Sequence, residues 1–104
     1  MPDKISGSLG LCRKAGKLLM GFDTVIEAIQ KGEAVLVLLA KDCSERTARG
    51  IKAAALENGC EISALPLTMD EISFAVAKRA GVLAVCDSGF AKKFKTLIDS
   101  EHNA

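Results

Sequence analysis

The sequence predicts an α/β fold in which helices and strands alternate strictly, in the order αβαβαβαβα. The first observation is that apolar residues recur at helical spacing in five segments, with a short apolar run in each of the four gaps between them. The second is that two of those runs, "AVLVLLA" (34–40) and "GVLAVCD" (81–87), are apolar almost throughout. Strands of that kind belong to sheets covered on both faces. Together these features argue for a mostly parallel central sheet between helical layers.

The first helix runs from Asp3 to about Ala15, with Ile5, Leu9 and Cys12 on one face, and Gly16 supplies a left-handed stop. "KLLMG" (17–21) is a short strand. In "GFDTVIEAIQKG" (21–32), Val25, Ile26, Ala28 and Ile29 make the apolar stripe of a second helix that ends at Gly32. After the strand at 34–40, "SERTARGIKAAALENG" is a helix opened by Ser44 and closed by Gly59. Its interior Gly50 costs about 1 kcal/mol relative to Ala. "CEISALP" (60–66) is the third strand. Thr68 and Glu71 then have the spacing of a capping box, which starts a helix through Ile72, Phe74, Ala75 and Val76. The strand at 81–87 leads into "SGFAKKFKTLID" (88–99), where Phe90, Phe94, Leu97 and Ile98 fall at helical intervals. The tail, residues 100–104, is expected to fray. With 104 residues and no linker, repeat or low-complexity stretch, residues 1–104 are expected to form one domain.

Charge and cysteine content narrow the function. Net charge is +1, so the overall field says little about partners, and local clustering matters more. Lys4, Arg13, Lys14 and Lys17 fall within the first twenty residues, and Lys92, Lys93 and Lys95 lie near the end. The simplest reading of these cations is solvated helix faces; a shared basic surface for nucleic acid is the other. Cys12, Cys43, Cys60 and Cys86 form no C-x-x-C pair and have no histidine nearby, so neither a zinc site nor a thioredoxin-type motif is expected. Free, buried or half-buried thiols in a reducing cytoplasm fit this pattern, with no secretory leader and no membrane span.

Catalytic motifs fail one by one. "GLCRKAGK" (10–17) puts five residues between its glycines, ends Lys-Leu and precedes the first strand, so it is not a P-loop. His102, the one histidine, lies in the tail. Cys86 sits beside a helix start, which can activate a thiol, but no base or oxyanion partner accompanies it. A small residue filling a strand end, with Asp87 or Ser88 as helix cap, is the better explanation of "CDSG". No enzyme, cofactor or metal is expected. What remains are three polar loops: Gly21-Phe22-Asp23-Thr24, Lys41-Asp42, and "AKRAG" (77–81). Exposed helix starts of this kind offer N–H donors to phosphates and base edges.

The stretches "LGLCRKAGKLLMGFDTVIEAIQKGEAVLVLLAKDCSERT" and "AKRAGVLAVCDSGFAKKF" resemble, in order and spacing, the ribosomal proteins of the L-seven-Ae and L-thirty-e type. These bind kink-turn RNA, and the resemblance is strongest to their small bacterial branch, the YlxQ-type proteins. It covers nearly the whole chain. It implies a three-layer α/β/α sandwich with a four-stranded mixed sheet, whose last strand runs against the others. Gly21 to Thr24, Lys41, and Lys78, Arg79 and Ala80 would then share one end of the sheet. The resemblance implies that this end is the RNA-binding surface, with Lys14 and Lys17 contributing from the same family segment. In RNA-binding relatives the helix start carries Asn-Glu, then Lys one turn later. Here Asp23 and Thr24 stand at the first two positions and Glu27 at the third.

Two readings of function follow. The first is a non-catalytic RNA-binding protein of the translation apparatus, with structured RNA, ribosomal RNA among it, as the expected partner. The second is a protein-interaction adaptor on the same fold, motivated by the acids Asp23 and Glu27. Asp23 also suits the helix dipole, worth about 0.3–1 kcal/mol, and this is compatible with either. Oligomeric state leaves no mark in the sequence.

Overall fold

The computed structural model describes residues 3–102. Five helices and four strands alternate as expected: α1 (Asp3–Lys14), β1 (Leu18–Met20), α2 (Phe22–Gln30), β2 (Leu36–Leu39), α3 (Glu45–Asn58), β3 (Glu61–Ala64), α4 (Met69–Val76), β4 (Val82–Val85) and α5 (Ser88–His102). The strands form one sheet in the order β1-β4-β2-β3. β4 pairs antiparallel with both β1 and β2, while β2 and β3 pair parallel. Three strands therefore point one way and β4 runs against them, which makes the sheet mixed. The mostly parallel pairing inferred from the apolar runs is corrected here, because apolarity reports that both faces are covered and carries no strand direction.

Side chains alternate across the sheet and build two cores. Leu36, Leu38, Leu83 and Val85 face α1, α4 and α5, where Ile5, Leu9, Ile72 and Phe94 meet them. Val37, Leu39, Val82 and Ala84 face α2 and α3, against Val25, Ile29 and Ile51. Every residue of β2 and β4 is buried. Full burial of a Leu, Ile or Phe side chain stabilises by roughly 1.5–3 kcal/mol, so the central strands and their facing helix stripes hold the fold together.

Helix ends follow the predicted chemistry at most positions. The Ser44 hydroxyl accepts from the Thr47 N–H at 3.2 Å, and Gly59 closes α3 in the left-handed region at φ 64°. Thr68 and Glu71 form both bonds of the capping box, at 3.2 and 2.9 Å. Asp87 caps α5, its carboxylate accepting from the Phe90 N–H at 2.9 Å. Gly50 also finds its reason: a Cβ there would come within 3.1 Å of the Phe22 ring. The missing side chain lets α2 lean its first aromatic residue on α3. α5 continues through His102, past the point where fraying was expected, and residues 103–104 lie outside the described residues.

Candidate functional site

Four loops meet at one end of the sheet, where β1, β2 and β3 finish and β4 begins. Backbone bonds tie them together. The Gly21 N–H donates to the Val82 carbonyl at 3.1 Å, and the Ala40 N–H donates to the Gly81 carbonyl at 2.9 Å. The Lys41 N–H donates to the Leu67 carbonyl at 2.7 Å. Asp42 accepts from the Met69 N–H at 2.8 Å. Gly81 packs so closely that a Cβ would stand 3.2 Å from the Met69 sulfur and 3.5 Å from the Cys43 sulfur. The antiparallel course of β4 is what brings the loop before it to this end.

The start of α2 is the distinctive part. Gly21 is its N-cap, at φ 102° and ψ 150°, with no side-chain cap bond. That backbone conformation is essentially restricted to glycine. Having no side chain, Gly21 leaves the first-turn N–H groups facing outward without a cap. Asp23 and Thr24 flank them, both exposed. Neither makes a side-chain hydrogen bond among the described residues, so both remain available to a ligand.

The cations around this end divide into two kinds. Lys41 and Lys78 are exposed and form no ion pair among the described residues. Arg79 is held: its Nε donates to the Asp70 carboxylate at 2.9 Å, and that bond, with the Asp70 charge and then Asp42, raises its pKa. Glu27, one turn into α2, meets Lys31 at 2.6 Å. The hydrogen bond and charge of Lys31 pull its pKa down. The local negative charge read from the sequence is therefore matched within the same helix.

Some residues expected at this surface lie elsewhere. Ala80 is buried, 8% exposed, and serves the packing of its loop. The Lys17 carbonyl accepts from the Cys86 N–H, which puts Lys17 at the opposite end of the β1–β4 ladder from Gly21. Lys14 lies in the last turn of α1, beside the C-terminal half of α4. One residue was missed: exposed Arg46, in the first turn of α3, borders the hollow that Phe22 makes with Thr47 and Gly50. Only a cation two residues after the Ser44 cap signalled it.

The thiols are poorly suited to attack. Burial pushes the Cys86 thiol up, with Glu33 adding to the effect, and it raises Cys43 and Cys60 as well. Cys12 is fully buried and pushed up to about 11, by burial first and then by Asp87. Thiols of this kind stay protonated, and so weakly nucleophilic, near neutral pH. Among the described residues no group of three or more His, Cys, Asp or Glu side chains could hold a metal ion. No helix among the described residues is long and apolar enough to cross a membrane.

This arrangement is an open surface built from backbone and loops, and comparison with known proteins places the chain in a family. Residues 3–95 match the model of the Ribosomal protein L7Ae/L30e/S12e/Gadd45 family, and the chain belongs to that family. It is 34% identical over 97 residues to the RNA-binding protein YlxQ of Enterococcus faecium, covering 92% of each chain. The RNA-binding protein YlxQ of Bacillus subtilis is also 34% identical, across 88% of this chain and 91% of that one. Among solved structures, a Bacillus halodurans protein of unknown function superposes with a TM-score of 0.84 at 28% identity, over 90% of this chain and 95% of that one. The fold is shared with the Giardia lamblia 15.5kD RNA binding protein, at a TM-score of 0.73 and 12% identity, over 92% and 85% of the two chains.

Proposed function

We propose that this protein binds structured RNA through the uncapped start of α2 and the loops beside it, as a non-catalytic component of the translation apparatus. The observation that carries the reading is the open helix start at Gly21, flanked by Asp23 and Thr24 and bordered by Lys41 and Lys78. The names of its relatives support it. Outward N–H groups suit phosphate or a base acceptor, the Asp23 carboxylate accepts from guanine N–H groups, and the Thr24 hydroxyl donates or accepts. The two free lysines neutralise backbone phosphate.

RNA of kink-turn type is the substrate class we infer. Four hydrogen bonds tie the loops to one another and to the starts of β4 and α4, and a surface held in this way would select a bent RNA by shifting its conformational population. Ribosomal RNA is the natural source of such folds for this family, and the protein would act in the cytoplasm. The Glu27–Lys31 pair weakens the adaptor reading, since it removes much of the uncompensated acidity that motivated it.

The test is a titration of purified protein against a kink-turn duplex and a straight duplex of equal length, at two salt concentrations. Tighter, salt-dependent binding to the kinked RNA is the expected result. Equal weak binding, or none, would sink the kink-turn reading.

A further inference from the structure

The helical layer on the other face of the sheet carries a second surface, remote in character from the polar loops. α1 lies between α4 and α5, with its outer side uncovered. Phe74 of α4 is 88% exposed and Leu11 of α1 is 55% exposed. They border an open groove of about 540 Å³ between α1 and α4. A second hollow, shared through Gly7 and Leu11, continues between α1 and α5 to Leu97. Two large apolar side chains turned outward beside a continuous trough mark an interaction surface.

Two further observations say what fits there. Gly7 sits inside α1, yet a Cβ on it would meet nothing within 4 Å. A helical glycine is unfavourable, and no contact within the molecule accounts for this one. Close approach by an outside backbone does account for it. Four cations line the two hollows, namely Lys4, Arg13, Lys14 and Lys93, and no acid does. Lys14 and Lys93 form no ion pair among the described residues.

We propose that this face is a docking groove for an acidic amphipathic helix of a partner protein. Leu11, Phe74 and Leu97 would take the partner's apolar stripe, Gly7 would admit its backbone, and the bordering cations would meet Asp and Glu on its flanks. A second copy of this chain fits poorly, because a two-fold contact would set the same four cations against themselves. RNA fits less well, because Phe74 gives it a single aromatic face and Leu11 and Leu97 give bases neither stacking nor hydrogen bonds.

The experiment is selection of a displayed library of random 16-residue peptides on the wild-type protein, with counter-selection on a Leu11→Ser/Phe74→Ser variant. Both changes are at exposed positions, and circular dichroism checks that the variant folds. The proposal expects selected peptides with apolar residues at i, i+3 or i+4, and i+7, and acids on both sides. Their affinity should fall about tenfold or more on the double variant, the weight of lost anchor residues. It should also fall for Gly7→Leu, which fills the notch without harming helix propensity, and for Lys93→Glu, most at low salt. Basic peptides, no common pattern, or equal binding to the double variant would overturn it. So would concentration-dependent sedimentation abolished by the same variant, since that would give the face to a second copy. Because neither Leu11 nor Phe74 belongs to the loop surface, the double variant should bind kink-turn RNA as the wild type does. The two proposals can therefore fail separately.

Discussion

The starts of α2 and α4 lie at the same end of the sheet and are built in opposite ways. At α4, Thr68 and Glu71 exchange both capping-box bonds and Asp42 takes the Met69 N–H, so the Met69 and Glu71 donors are occupied. At α2, Gly21 provides no side-chain cap, and its own N–H is spent on holding the loop against Val82. Gly in place of Ser, Thr, Asp or Asn at an N-cap costs only a few tenths of a kcal/mol, so the open start is cheap to keep. α3 and α5 carry theirs, in Ser44 and Asp87. Under the proposed function, a chain that caps its neighbouring helices and leaves this one open, on a backbone conformation that suits glycine alone, keeps those N–H groups for the RNA. On that proposal the α4 start is structural and the α2 start is the RNA contact.

That contrast can be broken by mutation. The largest effect is expected from removing the free cations beside the open start. Lys41→Glu with Lys78→Glu should weaken RNA binding about 100-fold, roughly a tenfold loss for each charged contact, and flatten the salt dependence by about two slope units. A filter-binding series across salt concentrations measures both. Next comes Gly21→Ala, which forces a side chain into a conformation costing about 1–3 kcal/mol. Urea unfolding should show that loss, and RNA affinity should fall with it because the N–H groups are re-aimed. Thr68→Ala should cost about 1 kcal/mol of stability and leave RNA affinity where it was, as expected for a cap with a purely structural role. The smallest effect is expected from Glu27→Lys. It removes the partner of Lys31 and places a cation on the α2 face, so binding should tighten about threefold at low salt and little at high salt. Unchanged affinity would place that face outside the interface.

The thiols add a pH prediction. The Cys12 pKa is raised in the folded state, from the ordinary 9.0 to about 11. The protonated thiol is therefore favoured by folding. Its contribution to stability is complete below pH 9 and is lost as pH rises toward 11. Unfolding midpoints measured across that window should fall, and Cys12→Ala should flatten the fall.

Much of the fold was legible because local chemistry and tertiary structure agree. Ser44, Gly59, Thr68 with Glu71, and the apolar runs of β2 and β4 each announce their role by residue type. Strand direction was not legible from the residues, since Leu36 to Leu39 would read the same in either sense; the resemblance supplied the reversed β4. The site was partly legible. Gly21, Asp23, Thr24, Lys41 and Lys78 come together as the loops suggested. Ala80 does not join them, because its side chain faces the core, and Lys17 does not, because β1 carries it to the far end of the ladder. Arg79 is committed to Asp70, a pairing nine residues apart that no local pattern reveals. Phe74 fell at a helical apolar position but turns outward, so periodicity placed it on a helix without saying what it faces.

The most direct test compares the two helix starts in one experiment. Isotope-labelled protein is titrated with kink-turn RNA while amide resonances are followed by NMR. The account predicts that the N–H signals of Phe22, Asp23 and Thr24 move strongly, with Lys41 and Lys78 alongside, while those of Asp70 and Glu71 in the capped turn of α4 stay nearly still. Shifts concentrated at the α4 start, or confined to α1 and α5 with the α2 start unmoved, would contradict it.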